Sequence, residues 1–216
     1  MIRLMLVAIS SILAFSCNSE ADQERQNKTS CLTAYVTTPC DLLSKVEVAD
    51  YAGATPAEIE VEVPEEIPYD EVTQYSRIFC EYRWPSDRVS ILTVKVGDSE
   101  LENEIPLYNA VSIGDIEVIE EDDLLTLNGH TETYAEYFHR VRIGDENMDS
   151  AIDGIGDKAS VQIIKAMNHS NYNMTNFWVL HGNVNFNIVV DVSDNDAEDL
   201  ELAKKLALGV LDHCTE

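Results

Sequence analysis

The sequence predicts an α+β domain, a twisted antiparallel sheet with helices packed on one face. Three observations lead there. Strand-like runs arrive in consecutive groups, and helix-like runs sit near the ends. Val184, Phe186, Ile188, Val190 and Val192 alternate with polar or small residues, the mark of a sheet with one buried face. Leu200, Ala203, Ala207, Val210 and Cys214 line one side of a closing helix, with Leu206 and Leu211 beside them.

The first helix is expected from about Ser44. Ser44-Lys45-Val46-Glu47 has the form of a capping box, Leu43, Val46 and Ala49 share a face, and Gly53 is the stop. Strands follow at Ile59–Val63, Arg77–Trp84 and Val89–Val96, with Ile78, Cys80, Tyr82 and Trp84 on one face and Pro85-Ser86-Asp87 as a turn. Residues 98–123 are the least regular stretch. They hold ten carboxylates and no Lys or Arg, with a short strand at Ile116–Ile119. A helix is expected over Thr131–Val141 on the stripe Tyr134, Tyr137, Phe138 and Val141. Gly154 and Gly156 mark a tight turn before strands at 159–166, 175–181 and 184–192, the last two joined by a two-residue Gly182-Asn183 hairpin. The final helix spans Asp196 to His213, with Asp194 or Asp196 as its cap.

The chain has 216 residues with 40 acids against 14 bases, a net charge of −26. Phosphate neutralisation needs basic patches, so nucleic acid is excluded as a partner, as is adsorption to anionic lipid through the protein surface. A hydrophobic fraction of 45% is that of a globular domain rather than an acidic tail. The length suits one sizeable domain.

Residues 1–16 read as a signal peptide: Arg3, then an apolar run from Leu4 to Phe15, too short to span a bilayer comfortably. Leu13-Ala14-Phe15-Ser16-Cys17 resembles the lipobox of bacterial lipoproteins. That resemblance implies diacylglyceryl transfer to the Cys17 thiol and cleavage before it. The polar, acidic run from Asn18 to Glu24 resembles the leader of Bacteroidetes-type lipoproteins bound for the outer membrane. Residues 17–30 then form a flexible tether and 31–216 the domain. Several acyl chains on one residue anchor firmly, and a chain this acidic has no basic patch to help. The mature chain would carry 13 bases and 40 acids, or −27.

Assigning Cys17 to lipid leaves Cys31, Cys40, Cys80 and Cys214. An even number in an oxidising compartment suggests two disulfides, and four cysteines allow three connectivities. The preferred pairing is Cys40–Cys80 with Cys31–Cys214, the second clamping the two ends of the domain. Four buried free thiols are the alternative. A metal site fits less well, because no C-x-x-C or H-x-x-x-H spacing occurs.

Pro39-Cys40-Asp41-Leu42-Leu43 before a helix, Phe79-Cys80-Glu81-Tyr82-Arg83-Trp84 in a strand, and Gly154-Ile155-Gly156-Asp157-Lys158-Ala159 before a hairpin and a last helix form one arrangement. Together they resemble uncharacterised secreted lipoprotein domains, best known from actinobacteria, of Mog1/PsbP-like fold. The resemblance covers about residues 39–213 and departs at 98–123. It implies a Cys40–Cys80 bridge and a non-enzymatic envelope role, with no catalytic residues to carry over.

The sequence therefore points to a membrane-anchored envelope lipoprotein, held by its N-terminal lipid on the outer membrane, with a non-catalytic binding domain and no cofactor. His130, His139, His169, His181 and His213 show no metal or triad spacing, and nucleophile-elbow, P-loop and Rossmann fingerprints do not occur. The alternative is an envelope hydrolase or Ca2+-dependent enzyme with an acidic cleft. Its metal candidates are Glu120, Glu121, Asp122 and Asp123, with Asp191, Asp194, Asp196 and Asp199 as a second cluster. A third reading is a structural partner in an assembly, marked by an exposed apolar surface. The sequons at Asn27, Asn168 and Asn173 matter only in a eukaryotic host.

Overall fold

The computed structural model describes residues 30–63, 78–96, 99–143, 150–165 and 173–214. The signal peptide, Cys17, nearly all of the tether, His169, Asn27 and Asn168 lie outside the described residues.

One seven-stranded antiparallel sheet organises the chain. Its strands are β1 (Glu60–Glu62), β2 (Phe79–Val96), β3 (Ser99–Val118), β6 (Ser150–Ile152), β7 (Lys158–Lys165), β8 (Asn173–His181) and β9 (Val184–Asp191), in the order β1-β2-β3-β9-β8-β7-β6. A separate two-stranded ribbon is β4 (Thr126–Leu127) with β5 (His130–Thr131). The helices are α1 (Lys45–Ala52), α2 (Tyr134–Phe138), which runs on into a π-turn at His139–Ile143, and α3 (Asp196–Asp212). Among the described residues no helix is long and apolar enough to cross a membrane.

The capping-box and stop signals for α1 hold, but its expected face does not. Ser44 Oγ accepts from Glu47 N, Glu47 Oε2 accepts from Ser44 N at 2.7 Å, and Gly53 closes the helix in the left-handed region at φ 69°. The buried side is Val48 and Ala49, while Val46 points outward at 58% exposure. Both expected disulfides are present. Cys40–Cys80 pins the turn before α1 to β2, and Cys31–Cys214 joins the start of the domain to the residues just past α3. Tyr82 reinforces the first, its buried hydroxyl donating to the Leu43 carbonyl. Ser30, the first described residue, donates its N to Asn183 Oδ1 at 3.1 Å.

Further sequence expectations change. Pro85-Ser86-Asp87 is no turn between strands. β2 runs through it with a bulge between Pro85 and Val89, a place in a strand that tolerates proline. Residues 98–123 are not irregular: β3 occupies twenty of them, paired with β2 from Phe79↔Gly114 to Val96↔Ser99. A second bulge at Gly114–Glu117 shifts the alternation, so that Ile113 and then Ile116 both face the core. Asp115 takes the left-handed φ of 48° there, and a Cβ on Gly114 would collide with Phe79. The cap of α3 is Asn195, which accepts from Ala197 N, rather than Asp194 or Asp196.

The helices lie on both faces of the sheet, not on one as the sequence suggests, because β8 is apolar on both sides. On the first face α1 and α3 cover the main core, built from Cys80, Tyr82, Trp84, Val111, Ile113, Phe177, Val179, Phe186, Ile188 and Val190. Leu202, Ala203, Leu206, Ala207 and Val210 are the buried side of α3, centred a little away from the expected stripe. Gly209 admits the Tyr51 ring of α1, since a Cβ there would stand 2.8 Å from the Tyr51 hydroxyl. On the second face α2 packs a smaller cluster, Phe138 with Ile119, Trp178 and Leu180. The apolar run Phe177-Trp178-Val179-Leu180 requires this. Successive strand residues point to opposite faces, so each face needs its own cover.

Candidate functional site

The second face of the sheet carries the smaller of the two apolar clusters. Strand pairing sets its side chains in rows. Ser160, Trp178, Asn187, Gly114 and Phe79 form one, and Gln162, Asn176, Val189, Ser112 and Glu81 form the next. α2 and its π-turn roof Trp178. The Gln162–Glu81 row is half-buried throughout, an amide-rich shelf beside the roof.

Under the roof the contacts form a chain. Asn185 Nδ2 donates to Glu117 Oε2 at 2.7 Å, Glu117 Oε2 stands 3.7 Å from Arg142 Nη2, and the Arg142 guanidinium lies 3.5 Å from the Trp178 ring centroid. A cation over an indole face is worth roughly 1–2 kcal/mol when partly desolvated. Arg140 stacks likewise on Tyr137 at 5.1 Å and bonds Glu132 at 2.6 Å, which holds the Glu132 carboxyl below its usual range. Burial pushes the Tyr137 hydroxyl pKa up, with Glu117 and Asp123 adding to the shift. Asn187 and Asn176 bond one another across β8 and β9. Asn185 is buried, and no hydrogen-bond partner for its Oδ1 is found among the described residues.

At the far end of the sheet a hairpin arm projects. Among the described residues, β9 pairs with β3 only from Ala110 onward and β1 with β2 only at Glu81–Arg83. Residues 89–96 and 99–106 therefore pair only with each other there. On the β3 side Leu101, Glu102, Asn103, Glu104 and Ile105 are all exposed.

The metal candidates sit elsewhere. Glu121–Asp123 form a single 3-10 turn, and all four of Glu120, Glu121, Asp122 and Asp123 are exposed. Asp123 Oδ2 accepts from Glu120 N at 2.9 Å, a cap rather than a cradle. The second cluster is dispersed. Asp191 pairs with Arg88, Asp194 is exposed, Asp196 opens α3, and Asp199 is buried, accepting from Ser193 N at 2.9 Å. Burial raises the Asp199 pKa to about 6 against the hydrogen bonds that favour its charge. Among the described residues no group of three or more His, Cys, Asp or Glu is arranged to hold a metal ion. His130 lies 3.5 Å from Glu136, and His213 packs edge-on to Tyr35. Sequence reasoning missed Trp178, Arg142 and the amide shelf. The doubly apolar run at 177–180 was the one signal for them.

No family model matches the chain, and no curated protein or solved structure matches it either.

Proposed function

We propose that this chain is a membrane-anchored bacterial envelope lipoprotein, acylated on Cys17, whose α+β domain is a non-catalytic binding or interaction module of Mog1/PsbP-like type. What supports the non-catalytic part of this reading is how the carboxylates are employed. Glu47, Glu136 and Asp123 close caps, Asp191 pairs with Arg88, and Asp199 braces the loop before α3. Three of the acids that an acid–base reading would use, Asp123, Asp191 and Asp199, are thus engaged within the fold. The anchored half rests on Leu13-Ala14-Phe15-Ser16-Cys17. Ser30 on Asn183 and the Cys31–Cys214 bridge set the start of the described domain at one pole of the sheet, where a tether would join it.

The test is the intact mass of protein extracted from membranes. The expected result is loss of residues 1–16 and acyl mass on Cys17, both abolished by Cys17→Ser. An unmodified Cys17 thiol on the membrane-extracted chain defeats the lipoprotein reading.

A further inference from the structure

We propose that the outer edge of β3 over Ser99–Ile105 is a strand-addition site for an extended segment of another protein in which apolar and basic side chains alternate. The proposal deepens the binding reading above, and it takes the position of the anchor from it. An unpaired strand edge offers a row of free backbone donors and acceptors, and a partner strand satisfies them. Among the described residues β3 has no neighbour on that side before Ala110. The site stops before Pro106, which has no N–H to offer.

The side chains state what the partner must carry. By the two-residue period of a strand, Glu102 and Glu104 stand on one face, with Leu101 and Ile105 on the other at 55% and 43% exposure. An added strand places its own residues in these same rows. Bases over the glutamates and apolar side chains beside Leu101 and Ile105 are the favourable neighbours. A second copy of this chain fits poorly. Edge-to-edge pairing would bring the glutamate rows together on chains that each carry −26.

The chain's own tether fits poorly too. Ser30 N and Ile119 N both bond Asn183, so the tether reaches the sheet at the Val118 end of β3. From there to Leu101 is on the order of 50 Å along the strand. Residues 18–29 span at most about 43 Å fully extended. A tether fixed at Ser30 therefore reaches at most the Ile105 end, about 43 Å from Val118, and is too short to lie along the edge to Leu101.

The experiment uses the full chain in detergent and three nine-residue peptides: alternating Lys and Val, the same composition with its lysines and valines in two blocks, and alternating Glu and Val. Affinity is read by fluorescence anisotropy and strand addition by amide exchange. The expected result is that the alternating basic peptide binds at least ten-fold more tightly than the other two and slows exchange within 99–105. Glu102→Lys with Glu104→Lys should weaken it at least ten-fold and favour the acidic peptide. Four outcomes overturn the proposal: no preference among the peptides, binding without slowed exchange at 99–105, binding unchanged by the charge reversal, or slow exchange there in the free chain. A dimer that Leu101→Asn with Ile105→Asn dissolves would also overturn it, in favour of a second copy. Acylation is scored separately. An unacylated chain that binds the peptide loses the anchor but keeps the edge site.

Discussion

Arg88 Nη1 stands 2.7 Å from Asp191 Oδ1, joining the bulge of β2 to the last residue of β9 across a strand that neither belongs to. The same guanidinium donates through Nη2 to the carbonyls of Tyr108 and Asp191. Both side chains of the pair are largely buried, at 12% and 17% exposure. The three contacts tie all three strands together where the arm leaves the sheet. Arg88→Ala should cost about 2 kcal/mol, because it leaves carbonyls and a carboxylate without their donor. Amide exchange over 99–109 should speed up more than exchange in β8. Equal acceleration in both strands would mean that Arg88 does not position the arm.

Asp199 makes stability depend on pH with an unusual sign. Its folded pKa is raised from 3.8 to about 6 by burial, so between those values the folded chain holds a proton that the unfolded chain has lost. Its contribution is greatest below pH 4, falls as pH rises through 4 to 6, and is flat above. Asp199→Asn keeps an acceptor for Ser193 N and removes the ionisation. The variant should gain on the native chain by up to about 3 kcal/mol between pH 4 and 7. Urea unfolding at several pH values measures the difference. A constant difference across that range contradicts the assignment.

The disulfides should differ in worth. Their sequence separations are 183 for Cys31–Cys214 and 40 for Cys40–Cys80. On the chain-entropy account these loops set ceilings of about 5 and 4 kcal/mol respectively. Cys40 and Cys80 also sit beside the buried Tyr82–Leu43 hydrogen bond, which holds the same two elements together. Removing Cys31–Cys214 by paired serine substitution should therefore destabilise more than removing Cys40–Cys80. Denaturant midpoints of the two double variants decide it, and the reverse order would place the main constraint at the α1–β2 contact.

What the sequence revealed of this fold was local, and what it hid was paired at a distance. The Ser44–Glu47 capping box, the Gly53 stop and the Gly182-Asn183 hairpin are written within a few residues and stand where expected. β3 is different. Its outer half lies in an arm ordered by ladder bonds to β2 rather than by burial, so hydrophobic alternation does not mark it. Its inner half changes phase at Gly114–Glu117, which breaks the pattern that would have revealed a strand. Arg88 and Asp191 meet across 103 residues, and nothing local to either announces the other. The Trp178–Arg142 stack was hidden for the same reason. It depends on α2 lying on the far face, an arrangement legible only as a run of four apolar residues with no polar member.

That stack gives the last prediction. Arg142 covers the Trp178 ring at 3.5 Å and reaches Glu117 Oε2 at 3.7 Å, while Asn185 Nδ2 donates to the same oxygen. Arg142→Ala removes the cation from the ring and a counter-charge from Glu117. The expected loss is about 1–2 kcal/mol. The chain has two tryptophans, so a Trp84→Phe background leaves Trp178 as the only indole. In that background Arg142→Ala should raise acrylamide quenching of Trp178, because the ring loses its lid. Phe138→Ala should raise it further, since Phe138 is fully buried against the same ring cluster and its loss opens a cavity beneath α2. Arg142→Lys should recover the charge for Glu117 but little of the shielding, because a lysine head does not lie flat on an indole. Quenching that stays the same in the alanine and lysine variants as with Arg142 present would show that the roof over the second face is held by Phe138 alone.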